Sequence, residues 1–165
     1  MTAQTTSHIK RRPPWLILGL TALTVFGCRS FEPPKTYIFD KDKVVAQDFE
    51  SVWTTLIQWF ANDNKPIKTL DKSSGLISSE LELESWQYRK YCDCGTPSGS
   101  ETLSTPSAAF NVFVVRVGDS TRITVNTTYE TEVAAVNYFN YKTTRFKRKC
   151  RSTGLLETEI LDAVK

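Results

Sequence analysis

Histidine is almost missing from this 165-residue chain, because the one histidine is His8, close to the start. Beyond that position the sequence offers no Cys–His pair, no Ser–His–Asp triad and no histidine ligand for a metal. The carboxylates of Glu101, Asp119 and Glu130 belong to no catalytic motif. We therefore expect no enzymatic activity, no catalytic residue, no bound metal and no cofactor.

A hydrophobic run long enough to cross a bilayer is also missing. The longest stretch without a charge runs from residue 13 to 28, and its apolar part, Trp15 to Phe26, holds twelve residues. A membrane-spanning helix needs about 20. Lys10, Arg11 and Arg12 precede this part, and Gly27 follows it. This layout predicts a secretory signal peptide over residues 1–27. A spanning anchor or a buried core helix is the alternative interpretation.

The end of that segment reads Val25-Phe26-Gly27-Cys28. It resembles the lipobox of bacterial lipoproteins, with Phe26 as the departure from the pattern. The resemblance implies that Cys28 becomes the acylated first residue. At about 0.8 kcal/mol per buried CH₂, several acyl chains hold a protein on a membrane essentially permanently. Arg29 follows where lipoproteins retained at the inner membrane often have Asp. The resemblance therefore implies an outer-membrane location facing the periplasm.

The mature chain has no excess of charge of either sign. The net charge of +3 comes from the three basic residues of the predicted signal, without which 18 basic residues face 18 acidic ones. Neutrality argues against general binding of polyanions, and together with the expected location it excludes nucleic acid as a partner.

One local cluster of positive charge remains, between residues 141 and 151, with no acidic residue among its cations. A solvated edge strand protected by its lysines is one interpretation. A patch that binds anionic lipid headgroups, an acidic protein or a cell-wall polymer is the other. The cations of this basic cluster are Lys142, Arg145, Lys147, Arg148, Lys149 and Arg151.

The rest of the chain divides into a short tether and one domain. Residues 28–36 contain Pro33-Pro34 and no apolar periodicity, which predicts an extended tether with a reach of about 25 Å. Residues 37–165 are enough for a single domain with a core. The domain is therefore expected to work close to the membrane.

The patterns within the domain predict an α+β fold. Apolar residues from Phe49 to Phe60 recur with helical spacing after the N-cap candidate Asp48. Alternating segments predict strands, and a second helix is expected to begin near Ser152 or Thr153. We expect an antiparallel sheet of five to six strands, with both helices on one face. The expected strand segments are residues 67–70, 76–84, 110–117, 122–130 and 136–149, with a long loop over residues 88–106.

Three cysteines remain after Cys28, namely Cys92, Cys94 and Cys150. The periplasm is oxidising, so a disulfide is favoured over a three-thiolate metal site, which lacks a fourth ligand. Cys150 is expected to pair with either Cys92 or Cys94. One thiol is then left over.

Residues 48–83 resemble the opening of the helix-grip domains in the C subunit of the outer-membrane β-barrel assembly machinery. The similar residues are Val52-Trp53, Ile67, Asp71 and Ser74-Gly75-Leu76-Ile77, and residues 150–161 resemble the last helix of such lipoproteins. The resemblance implies a non-catalytic accessory or scaffold subunit with an envelope protein as partner. A carrier that holds a lipid or another apolar ligand between sheet and helices is the alternative.

Overall fold

A computed structural model describes residues 30–84 and 88–164, which form three helices and eight strands. The predicted signal peptide and the acylation candidate Cys28 lie outside the described residues. The elements, in chain order, are β1 Asp42–Val45, α1 Phe49–Asn62, β2 Thr69–Asp71, β3 Leu76–Glu82, α2 Tyr88–Tyr91, β4 Cys92–Asp93, β5 Glu101–Leu103, β6 Ser107–Val117, β7 Ser120–Asn137, β8 Lys142–Ser152 and α3 Leu155–Ala163.

The α+β class with an antiparallel sheet is confirmed, but the expected number of strands was too low. The main path through the sheet is β2-β3-β6-β7-β8-β4, with β1 and β5 paired to β7. The additional strands β1, β4 and β5 are only two to four residues long. Segments this short carry too little alternation to be recognised from the sequence, and pairing with a longer neighbour stabilises them.

Strand β7 is the centre of the sheet, because it is long enough to pair with two strands along each edge. One edge pairs first with β6 and then with β5, and the other pairs first with β1 and then with β8. Most of its odd-numbered side chains, among them Ile123, Val125 and Tyr129, are buried in the core. The predicted period of two is therefore confirmed over this strand.

Helix α1 follows its sequence prediction closely. The Asp48 side chain accepts a hydrogen bond from the backbone N–H of Ser51, which caps the first turn. The buried stripe of the helix includes Val52 and Leu56, and it packs against β6, β7 and α3. The two longer helices therefore meet over the same sheet and close the core.

Helix α3 begins at Leu155, later than expected, because Ser152 is still the last residue of β8. Gly154 lies between the two elements with φ of 88°, and it sits directly against the ring of Phe39. A side chain at this position would be strained by the backbone and blocked by that ring. The chain therefore completes the strand before it turns into the helix.

Two segments differ from the prediction. The expected strand over residues 136–149 is divided by a hairpin turn, because β7 ends at Asn137 and β8 begins at Lys142. Tyr141 in this turn has φ of 54°, which no strand accommodates. The expected loop over residues 88–106 contains α2, β4 and β5.

Candidate functional site

The predicted disulfide is present and joins Cys94 to Cys150. Strand β4 pairs with the end of β8 so that Cys92 faces Ser152 and Asp93 faces Arg151. This register carries Cys94 to a position opposite Cys150, which decides between the two pairings that the sequence left open. Cys92 is the remaining free thiol, and it is buried.

The three cysteine sulfurs lie within 4.8 Å of one another. Burial, together with the smaller effect of the nearby Asp93 charge, raises the pKa of the Cys92 thiol to about 12. The thiol is therefore protonated at neutral pH and is a poor nucleophile. Since the disulfide occupies two of the three sulfurs, the cluster offers a single thiol as a potential metal ligand while the bond is intact.

The segment expected to be a tether lies against the domain, next to this disulfide. Glu32 and Thr96 exchange two backbone hydrogen bonds, of 2.9 and 3.1 Å. The backbone N–H of Lys35 donates to Asp93 at 2.9 Å. A Cβ at Gly95 would collide with the Glu32 carbonyl, and its φ of 76° also favours glycine. The disulfide-bonded loop is thus shaped to receive the N-terminal segment.

Arg148 of the basic cluster, on β8, also contacts the N-terminal segment. Its guanidinium group lies 4.0 Å from the Phe31 ring centroid and forms a 2.8 Å ion pair with Glu101. The two paired side chains are only 13% and 12% exposed. The hydrogen bond from Arg148 lowers the pKa of Glu101. Arg148 of β8 therefore contacts both β5 and the N-terminal segment, and it is largely withdrawn from the surface.

The rest of the basic cluster is divided between paired and unpaired cations. Arg145 lies 2.6 Å from Glu132, and Lys147 lies 3.7 Å from Glu130, both across the β7–β8 pair. Facing carboxylates thus neutralise these two positive charges, as a glutamate also does for Arg148. The members of the basic cluster that are exposed and lack an ion pair to a described residue are Lys142, Lys149 and Arg151.

The turn between β7 and β8, residues 138–141, carries aromatic side chains that the sequence interpretation placed in a strand. We call this turn the hairpin tip. The exposed fractions of Tyr138, Phe139 and Tyr141 are 64%, 99% and 86%. The side chains of Asn137 and Asn140 accept hydrogen bonds from backbone N–H groups two residues further on. These two asparagines were the signal in the sequence that a turn lies here.

A second exposed apolar feature lies on the face of the sheet opposite the helices. Phe113, Val115 and Val117 occupy alternate positions of β6 and point to this face. Val44 of β1 also lies here, on the far side of β7, because Arg122 of β7 pairs with Val115 on one edge and with Val44 on the other. We call these four apolar residues the outer strip. The sequence already contained its signal, because residues 110–117 are apolar at nearly every position and not only at alternate ones.

Side chains fill the space between the sheet and the helices. Phe60 of α1 stacks on Phe110 of β6 with ring centroids 5.7 Å apart, and both are almost fully buried. Glu157 of α3 is completely buried, and its carboxylate accepts hydrogen bonds from the hydroxyls of Thr127 and Ser152. Two hydroxyls therefore satisfy this buried acid within the fold.

Comparison with known protein-family models finds no match for this chain, and a search of curated proteins finds none either. In the part of the chain that the structure describes, the helices are too short or too polar to cross a bilayer.

Proposed function

We propose that this chain is a non-catalytic lipoprotein, anchored through Cys28 at the periplasmic face of the outer membrane, where it serves as an accessory or scaffold subunit. The resemblance to the helix-grip domains points to assembly of outer-membrane proteins as the process. Two features support that resemblance: an antiparallel sheet, and the helices α1 and α3 packed together on one side of it.

The outer strip carries the scaffold proposal. Exposed apolar side chains that adjoin one another on a sheet mark surfaces where other proteins bind. Phe113, Val115 and Val117 follow one another at intervals of about 7 Å along β6, which suits an elongated partner segment. The filled interior favours this function over the carrier, since Phe60 and Phe110 occupy the space that an apolar ligand would need.

Photocrosslinking in intact cells tests the proposal. A photoreactive residue at Val115, on the outer strip, is expected to give a discrete adduct with an envelope protein. The same residue at Gln58, which is exposed on α1 on the opposite side of the sheet, is the matched control and should give no such adduct. Adding Phe113→Asp to the Val115 probe should abolish the adduct without releasing the protein from the membrane.

The crosslinking experiment also has a clear contrary outcome. If the Val115 probe forms no adduct with an envelope protein, the scaffold function is wrong. An adduct of equal yield from Gln58 would argue against the outer strip as the binding surface.

A further inference from the structure

The hairpin tip has the chemistry of a group that contacts the membrane interface. Tyr138, Phe139 and Tyr141 together expose three aromatic rings within four positions of the chain. Tyrosine is enriched where a membrane meets water, because its ring is apolar and its hydroxyl is polar. Lys142 follows directly and is exposed. A cation beside exposed rings suits the anionic headgroups of a lipid surface.

The tip projects from the sheet as a built turn. Toward the tip, the last strand that pairs with the outer edge of β7 is β5, and this pairing ends at Glu101 and Ala135. Beyond that point the β7–β8 hairpin continues to the Asn137–Lys142 pair. The Tyr138 hydroxyl donates to the Gly99 carbonyl at 3.4 Å, which ties the base of the turn to the neighbouring loop.

The described part of the N-terminal segment runs toward the tip as it is followed back to residue 30. Phe39 lies against Gly154, beyond the end of β8, whereas Phe31 lies over Arg148 within the strand. Followed toward its start, the segment therefore runs along β8 in the direction of the tip. Cys28 precedes Phe31 by three residues in the sequence, and three residues of chain reach about 10 Å at most. The strand distance from Arg148 to Lys142 is about 20 Å.

The other end of the molecule is farther than the tip from Phe31, which lies over Arg148. Strand β7 spans 18 residues, which corresponds to a length of roughly 55 Å. The hairpin tip follows its last residue, and the Gly118–Asp119 turn precedes its first. The outer strip, through Val117, lies beside that second turn. A domain held at Cys28 thus presents the tip to the bilayer and the outer strip to the periplasm.

We propose that the hairpin tip is a second membrane contact, in which Tyr138, Phe139 and Tyr141 enter the headgroup region of the bilayer that holds Cys28. The inference rests on the proposed function, because it needs the lipid anchor. It adds an orientation to that function: anchor and tip together fix the long axis of β7 relative to the membrane.

Depth measurement by electron paramagnetic resonance tests this contact on the full chain in membranes of Gram-negative cells. A nitroxide label is attached to Phe139→Cys, and the matched control is Asp119→Cys in the turn at the other end. Both native residues are exposed. The unsubstituted chain gives the background labelling. We expect oxygen to collide with the label at position 139 more often than a water-soluble nickel chelate does, and the reverse at position 119.

Each contrary result has its own meaning. A membrane-bound chain whose label at position 139 is as accessible to nickel as the label at position 119 overturns the tip contact and leaves the anchor standing. Exclusion of both reagents at position 139 means that a protein covers the tip, which also overturns the proposal. Recovery of the chain in the soluble fraction overturns the anchor, and the tip contact with it.

Discussion

Opening the Cys94–Cys150 disulfide is expected to cost a large part of the stability of this domain. The bond closes a loop with a sequence separation of 56 residues. In the chain-entropy treatment such a loop corresponds to about 4 kcal/mol of stabilisation. A small domain has a total stability of about 5 to 15 kcal/mol, so the loss would be easy to measure.

Two variants separate the bond from the packing around it. Cys94→Ala removes the bond, whereas the matched control Cys92→Ala removes a buried thiol two residues away and leaves the bond intact. Urea denaturation under oxidising conditions gives both free energies of unfolding. We expect the control to lose about 1 kcal/mol, typical of a small buried group.

Cys92 gives this experiment an additional readout. Its sulfur lies within 4.8 Å of the Cys150 sulfur, so it is positioned to replace Cys94 as the partner when Cys94 is absent. We therefore expect a Cys92–Cys150 bond in Cys94→Ala, with partial recovery of stability. The double variant Cys92→Ala with Cys94→Ala should lose the full amount. If the double variant is as stable as Cys92→Ala alone, the proposed role of the disulfide is wrong.

Two further predictions concern the titratable groups beside the docked segment. The pKa of Glu101 is lowered, so its ion pair with Arg148 should stabilise the docked segment at any pH above the ordinary glutamate pKa of about 4.3. This stabilisation should be lost as the pH falls through the lowered pKa. Hydrogen exchange at the Glu32 amide measures this, and the amide should lose protection in acid. In Glu101→Gln at pH 7 its protection should fall by about 1 to 3 kcal/mol. Unchanged protection in the variant would contradict the prediction. Burial raises the pKa of Cys92 to about 12, so this thiol should resist alkylation at pH 8 until the protein unfolds, and rapid labelling of the native protein would refute its burial.

The parts of the fold that were predictable are those whose signals are local. Helix α1 is specified within its own sequence by the Asp48 cap and the apolar stripe that follows it. The Gly118–Asp119 turn was likewise visible between two predicted strands, an apolar one before it and an alternating one after it. In both cases the information lies within about a dozen residues, and the tertiary structure agrees with it.

The parts that were missed depend on contacts between residues far apart in sequence. The docking of the N-terminal segment needs Thr96 to face Glu32, which are 64 positions apart. The choice of Cys94 over Cys92 follows from the register of β4 on β8, and two cysteines separated by one residue give no hint of that register. The hairpin tip was taken for a strand because aromatic residues have a high strand propensity.

The candidate functional surfaces were also predictable only in part from the sequence. The basic cluster was recognisable as a run of cations, but which of them remain unpaired depends on the glutamates that β5 and β7 place beside them. Arg148 is the clearest example, since in the sequence it looks like any other cation of the run. Its pair with Glu101 makes it part of the structure that docks the N-terminal segment.

The proposed function depends on acylation of Cys28, and the mass of the mature protein reports on that acylation. The full chain, expressed in Gram-negative cells and extracted from their membranes, is measured intact by mass spectrometry. We expect a polypeptide that begins at Cys28 and carries the added mass of its acyl chains. A mature protein that begins elsewhere, or that begins at Cys28 without added mass, would contradict it.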